Sequence, residues 1–185
     1  KEIVNEVNTV GEAYGSSEEG NGKNVVVDFS SPNIAKPFHI GHIRSTVIGN
    51  SISNLYEKLG YNVIRANYLG DYGTQFGKMI VAYRRWGNEE DVKNAPVKTL
   101  LGYYTKFHEE AEKDPSLDEE ARATFAKLEQ GCEEEVKLWT MFREYSLAAF
   151  DKVYDMLGIS FDNYHGESHF SDHMTTVIQN IEDKA

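Results

Sequence analysis

The chain has 185 residues, 40% of them hydrophobic and 26% charged, enough apolar material for one sizeable core. Its formal net charge of −11 excludes a nucleic-acid clamp built on overall basicity. The single Cys132 excludes an intrachain disulfide framework and a cysteine-rich zinc site, and no apolar run approaches the ~20 residues of a membrane helix. A reducing, cytoplasmic setting is the expectation, and the start at Lys1 rather than Met points to a piece of a longer protein. The charge is uneven. Residues 36–85 hold seven Lys/Arg against two Asp/Glu, whereas residues 107–135 hold three against eleven. The first stretch suits a mildly basic ligand-handling part, the second a solvated helical surface.

Ile3, Val4, Val7, Val10 and Tyr14 recur at helical spacing, so residues 1–14 read as a helix packed on the next unit or the tail of a preceding one. Residues 15–22 are small, polar and acidic, a flexible connector. The continuous run from Asn24 to Phe29 predicts a strand buried on both faces of a parallel sheet. Asp28 within it suits a structural hydrogen bond at the strand's end. Pro32 and Pro37 stiffen the loop that follows. Residues 41–59 predict a helix with Val47, Ile48, Ile52, Leu55, Tyr56 and Leu59 on or near its apolar face, ended by Gly60. Tyr61–Ala66 then reads as a second strand, completing a right-handed β-α-β unit.

A glycine-punctuated loop, residues 67–77, opens the next helix, which runs to Trp86 and stops near Gly87. Asp71 and Gln75 in that loop suit either ligand binding or loop stabilisation. Residues 88–157 read as helices. Leu100, Leu101, Tyr104 and Phe107 mark one, broken at Asp114-Pro115; a second starts near Leu117 with Ser116 as N-cap and Glu119 three residues on. A third carries Val136, Leu138, Trp139, Phe142, Tyr145, Phe150 and Val153, whose helical spacing fits core packing rather than base stacking. Ile159–Tyr164 predicts another strand, closed by Gly166-Glu167-Ser168, and a further helix starts from Ser171. His165, His169 and His173 recur every fourth residue, but Gly166 breaks the helix that would align them, so no metal site is expected.

The chemistry concentrates in Ser31-Pro32-Asn33-Ile34-Ala35-Lys36-Pro37-Phe38-His39-Ile40-Gly41-His42, between a strand and a helix start. Open α/β sheets bind ligands at the carboxyl ends of their strands, and a helix N-terminus favours phosphate. His39 and His42, three apart, present both imidazoles to one side. Gly41 lets a base or ribose approach the backbone. That arrangement suits displacement at phosphorus, with imidazole donors stabilising developing charge. Ser31 and Asn33 can bond an amino acid's ammonium or carboxylate, although turn chemistry alone also explains them. Glu167, at a strand end, suits a bidentate pair with a guanidinium, or is an exposed loop carboxylate.

Around these residues, SSPNIAKPFHIGHIRSTVIGN and NVIRANYLGDYGTQFG, with Gly166-Glu167-Ser168 beyond, resemble the signature of arginyl-tRNA synthetases, a class I aminoacyl-tRNA synthetase family. The resemblance runs from about Val25 to Ser168. It implies an α/β, Rossmann-like parallel sheet, the first half of the class I nucleotide fold with its HIGH-type motif, carrying a helical insertion. The parts would be residues 1–23 (helix and connector), 24–87 (first half of the fold), 88–157 (insertion) and 158–185 (return to the fold). It further implies ATP-dependent activation of L-arginine and transfer to tRNA(Arg), with Mg2+ accompanying ATP, in a monomer without membrane attachment. His39, Gly41 and His42 would bind ATP, with both histidines catalytic. Ser31, Asn33, His42 and Glu167 would bind arginine. Ile40 at the second motif position and Tyr72, where many relatives carry Trp, are mild departures. A larger one is the lack of a lysine-rich KMSKS-like loop, so the chain alone is expected to activate arginine negligibly. Two alternatives stay open: another His-x-Gly-His nucleotidyltransferase, and a non-catalytic module of synthetase descent that binds tRNA or a partner.

Overall fold

Two short β-prone stretches, β1 (Asn24–Asp28) and β2 (Asn62–Ala66), pair in parallel in the computed structural model, which describes residues 1–184. Val25 lies opposite Val63 and Asp28 opposite Ala66. Parallel pairing needs a long crossover, supplied here by α2 (Ile40–Lys58). The other helices are α1 (Glu2–Val10), α3 (Thr74–Trp86), α4 (Glu89–Asn94), α5 (Pro96–Ala111), α6 (Ser116–Glu129), α7 (Glu133–Leu157) and α8 (Met174–Glu182). A 3₁₀ segment spans Glu167–His173.

The core lies in the helical half. Phe76, Met79 and Ile80 of α3 pack with Leu100 of α5 and with Phe142, Phe150 and Tyr154 of α7, all buried. Each such side chain contributes on the order of 2–3 kcal/mol through burial. Local signals set the ends. Asn88 accepts the Glu90 N–H ahead of α4, Pro96 opens α5, and Gly158 closes α7 at φ 65°. The basic residues of α3 meet the acidic run directly: Lys78 pairs with Asp118, Arg84 with Glu134 and Glu135, and Arg85 with Glu120. Part of the charge expected to face solvent thus joins helices instead.

Five expectations need correction. The predicted strand at Ile159–Tyr164 is reduced to a single parallel bridge between Ala66 and Asn163, because Asp162 turns its carboxylate onto the Arg65 N–H that a ladder would use. β1 is not buried on both faces; Val26 is 64% exposed, with α2 covering one side of a two-stranded sheet. The apolar stripe of α2 points outward, Leu55 being 65% exposed, while its buried residues are Thr46, Gly49 and Ser53. Small residues bring this helix close to β1: a Cβ on Gly49 would lie 2.2 Å from the Phe29 ring. The α6 start is held by Asp114, which accepts from the Ser116 N–H and hydroxyl, rather than by Ser116 as N-cap. Finally, the connector read as flexible is pinned, Ser17 and Gly20 donating to the Lys58 and Leu59 carbonyls at 2.8 and 2.7 Å. The helix before it, α1, forms as expected and buries none of its residues, which leaves the reading as the tail of a preceding unit open.

Candidate active site

The loop after β1 departs from ordinary backbone. Ser30 (φ 74°), Ser31 (φ 49°) and Ala35 (φ 63°) all occupy the left-handed region, which costs a non-glycine residue about 1–2 kcal/mol each. A buried hydroxyl network compensates. The Tyr154 hydroxyl of α7 lies 2.8 Å from Ser30 Oγ and 3.1 Å from Asn67 Nδ2, and Thr46 of α2 donates to Ser30 Oγ at 2.9 Å. Asn67 Oδ1 accepts the Ser31 N–H, and Asp28 accepts the Ser31 hydroxyl at 3.0 Å. Asp28 thereby has the strand-end structural role expected of it.

Three segments then lie side by side beyond the strands. Asn33 forms a parallel bridge with Gly70, the Ile34 N–H donates to the Gly70 carbonyl, and the Glu167 N–H donates to the Leu69 carbonyl at 3.0 Å. The Leu69–Gly70 segment is therefore flanked by Asn33 on one side and Glu167 on the other. Glu167 is exposed, with Oε2 3.4 Å from the Tyr72 N–H. Gln75 donates weakly to the Tyr72 carbonyl, which assigns it to the loop.

His39 and His42 form a reciprocal cap on α2. His39 Nδ1 accepts the Gly41 N–H at 3.1 Å, and His42 Nδ1 accepts the His39 N–H at 3.3 Å. Their ring centroids are 4.0 Å apart. An imidazole whose Nδ1 accepts an N–H carries its own proton on Nε2. Burial, and secondarily the neighbouring His39, holds the His42 pKa below its usual 6.5, which favours that neutral tautomer. Phe38 stacks near His42 at 5.3 Å and packs on Phe150 and Tyr154, tying the motif to α7. A groove of about 380 Å³, lined in part by Val27, Phe29, Gly41, Arg44, Ile48 and Ile52, opens beside the motif. A larger cavity, about 600 Å³ between α3 and α7 near Tyr83, Leu138 and Met141, contains no motif residue.

The site thus brings Ser31, Asn33 and Glu167 around the ends of β1 and β2 and pairs His39 with His42 around exposed Gly41. His165, ahead of the 3₁₀ segment, stacks on His169 within it at 4.1 Å. Sequence reasoning missed Asn67, Arg143 and the polar ends of Trp139 and Tyr154. The available signal was chemical: a buried Tyr or Trp in a helical stripe has a hydroxyl or N–H that must find a partner. In α7 those partners are loops of the site.

The family model described as "tRNA synthetases class I (R), catalytic domain" matches residues 4–185. The arginine–tRNA ligase of Lactobacillus johnsonii is 58% identical over 181 residues, which is 98% of this chain and 32% of that protein. That of Exiguobacterium sibiricum is 56% identical over 184 residues, 100% of this chain and 33% of that protein. Among solved structures, the arginyl-tRNA synthetase of Plasmodium falciparum superimposes with a TM-score of 0.70 at 34% identity, covering 96% of this chain and 29% of its own. The Thermus thermophilus arginyl-tRNA synthetase, at 23% identity and TM-score 0.62 over 83% of this chain and 25% of its own, shares the fold. This chain spans about one third of the length of the curated relatives it matches. With a family model matched over nearly its whole length, the chain belongs to the arginyl-tRNA synthetase family, within the class I catalytic domain.

Proposed function

We propose that this chain is the motif-bearing part of the catalytic domain of an arginine–tRNA ligase. In the whole protein, an arginine carboxylate oxygen attacks the α-phosphorus of ATP, the α–β anhydride bond breaks and pyrophosphate leaves. A hydroxyl of the tRNA(Arg) terminal ribose then attacks the adenylate carbonyl and AMP leaves. The observation that carries the reading is the histidine pair, whose Nδ1 atoms are both taken by backbone N–H groups. Two Nε2–H donors remain for charge that develops on the α-phosphate, and neither ring need accept a proton. The groove beside Gly41 suits the adenosine. Ser31 and Asn33, with His42 shared between substrates, would hold the amino-acid end of arginine, and Glu167 would pair with its guanidinium.

Magnesium would enter as the counter-ion of ATP. The strand-end carboxylates are otherwise engaged, Asp28 by Ser31 and Asp71 by Arg143 and Ser168. We place the reaction in the cytoplasm, on the single cysteine. Among the described residues no helix is long and apolar enough to cross a membrane.

The test is amino-acid-dependent pyrophosphate exchange by the full-length protein, with and without tRNA. Exchange with arginine alone among the amino acids is expected. His39→Ala and His42→Ala should each lower its rate by about 10²–10³-fold, the usual cost of one preorganised donor. No exchange with any amino acid, or full activity in both variants, would refute the enzyme reading and leave a binding module. The 185-residue chain alone should show negligible exchange.

A further inference from the structure

The geometry points to Asp71 as the residue that positions Glu167, through an ion pair with Arg143 on α7. This rests on the reading of Glu167 as the guanidinium partner and goes beyond it. The Asp71 side chain is fully buried, and a carboxylate in that setting requires a partner and several hydrogen bonds. Its Oδ2 accepts from Arg143 Nε and from Ser168 Oγ, both at 2.9 Å, and its Oδ1 accepts the Ser168 N–H at 2.9 Å. Its own backbone carbonyl takes the Trp139 indole N–H at 2.7 Å. Arg143 also reaches the Tyr164 carbonyl at 3.0 Å, just upstream of the same loop.

Glu167 sits between one residue that Asp71 bonds and one that its carboxylate packs against. Ser168 is bonded to it twice, and Gly166 lies so close that a Cβ there would stand 2.4 Å from the carboxylate. The residue after Asp71, Tyr72, offers its N–H to Glu167 Oε2. Apart from its N–H bond to Leu69 and its place at the head of the 3₁₀ segment, the anchors of Glu167 pass through Asp71 or its immediate neighbour. Glu167 itself is exposed and on a 3₁₀ segment, with no rigid element of its own to aim it. Arg143 supplies the countercharge from the long helix that also carries Tyr154, so α7 supports both sides of the arginine pocket, Ser31 through Tyr154 and Asn67, and Glu167 through Asp71. Asp71 touches no substrate in this scheme; it is a positioning residue.

The experiment is pyrophosphate exchange by the full-length protein carrying Asp71→Asn, Glu167→Gln and both together, with Arg84→Gln as comparator. Arg84 makes an ion pair of similar kind from α3 to Glu135 of α7, away from the loop. Asp71→Asn should raise the KM for arginine about ten-fold or more, with kcat and the KM for ATP within about two-fold, the pattern of lost ground-state binding. Glu167→Gln should act in the same direction, and the double variant should match the larger single effect. Arg84→Gln should lower the melting temperature and leave the KM for arginine unchanged. If Asp71→Asn fails to fold, Ser168→Ala, which removes one hydroxyl bond, should raise the KM for arginine about three-fold.

An unchanged KM for arginine in Asp71→Asn or, in its place, Ser168→Ala, while Glu167→Gln raises it, would overturn the inference and leave the role of Glu167 intact. Multiplying effects in the double variant would overturn it too, by showing independent routes. An unchanged KM in Glu167→Gln would instead refute the guanidinium assignment, and the positioning role with it.

Discussion

Replacing Tyr154 by Phe should weaken the protein although no apolar contact is lost. The Tyr154 side chain is 2% exposed, and burial raises the phenol pKa, so its proton stays in place. Without the hydroxyl, Asn67 Nδ2 loses its partner at 3.1 Å, and Ser30 Oγ keeps only the bond from Thr46. Each buried polar group left unpaired costs about 1–3 kcal/mol, offset by relief of the hydroxyl's own desolvation. A net loss of about 2 kcal/mol follows, and in a domain of this size about 2–4 °C of Tm per kcal/mol, hence about 4–8 °C. Ser30 and Ser31 hold left-handed backbone above this network, so the full-length variant should also show a raised KM for arginine. Paired thermal melts by far-ultraviolet circular dichroism read the first effect and pyrophosphate exchange the second. A Tm shift below about 1 °C would refute the reasoning, since the network would then not restrain the loop.

Further outcomes follow from the helix ends and the close approaches. Because burial and His39 lower the His42 pKa in the folded protein, the unfolded chain binds the proton first. The stability this imidazole contributes is complete above pH 6.5 and declines as pH falls below that toward the lowered folded value. His42→Asn, which keeps an acceptor without the titration, should show a shallower decline of Tm from about pH 7 to 5; equal slopes would refute the assignment. Gly49→Ala should destabilise, because its Cβ would press on Phe29 at 2.2 Å and overpacking costs about 1–3 kcal/mol. Gly102→Ala in α5, with nothing within 4 Å, should stabilise by about 0.8–1 kcal/mol through helix propensity. Urea titrations of the two should therefore move in opposite directions.

The local signals in the sequence carried far. Continuous β-branched runs placed β1 and β2, apolar spacing placed α5 and α7, and the length of the Ser30–Asn50 and Asn62–Gly77 blocks indicated the family. Residue type and spacing put His39, His42, Ser31 and Asn33 in the motif, because strand ends and helix starts are written in short windows. What the windows could not contain was the direction of each face. On α2 the apolar stripe suggested the buried side, yet Thr46, Gly49 and Ser53 face the sheet, since close approach to β1 favours small side chains there. Asp71, read as ligand or loop, became a buried anchor only because Arg143 arrives from 72 residues away. Tyr154 likewise meets Ser30 across 124 positions. Sequence alone determined which chemical groups lie at the strand ends; tertiary structure decided which of them face outward and which hold the others in place, because burial and pairing are properties of segments that meet only in the fold.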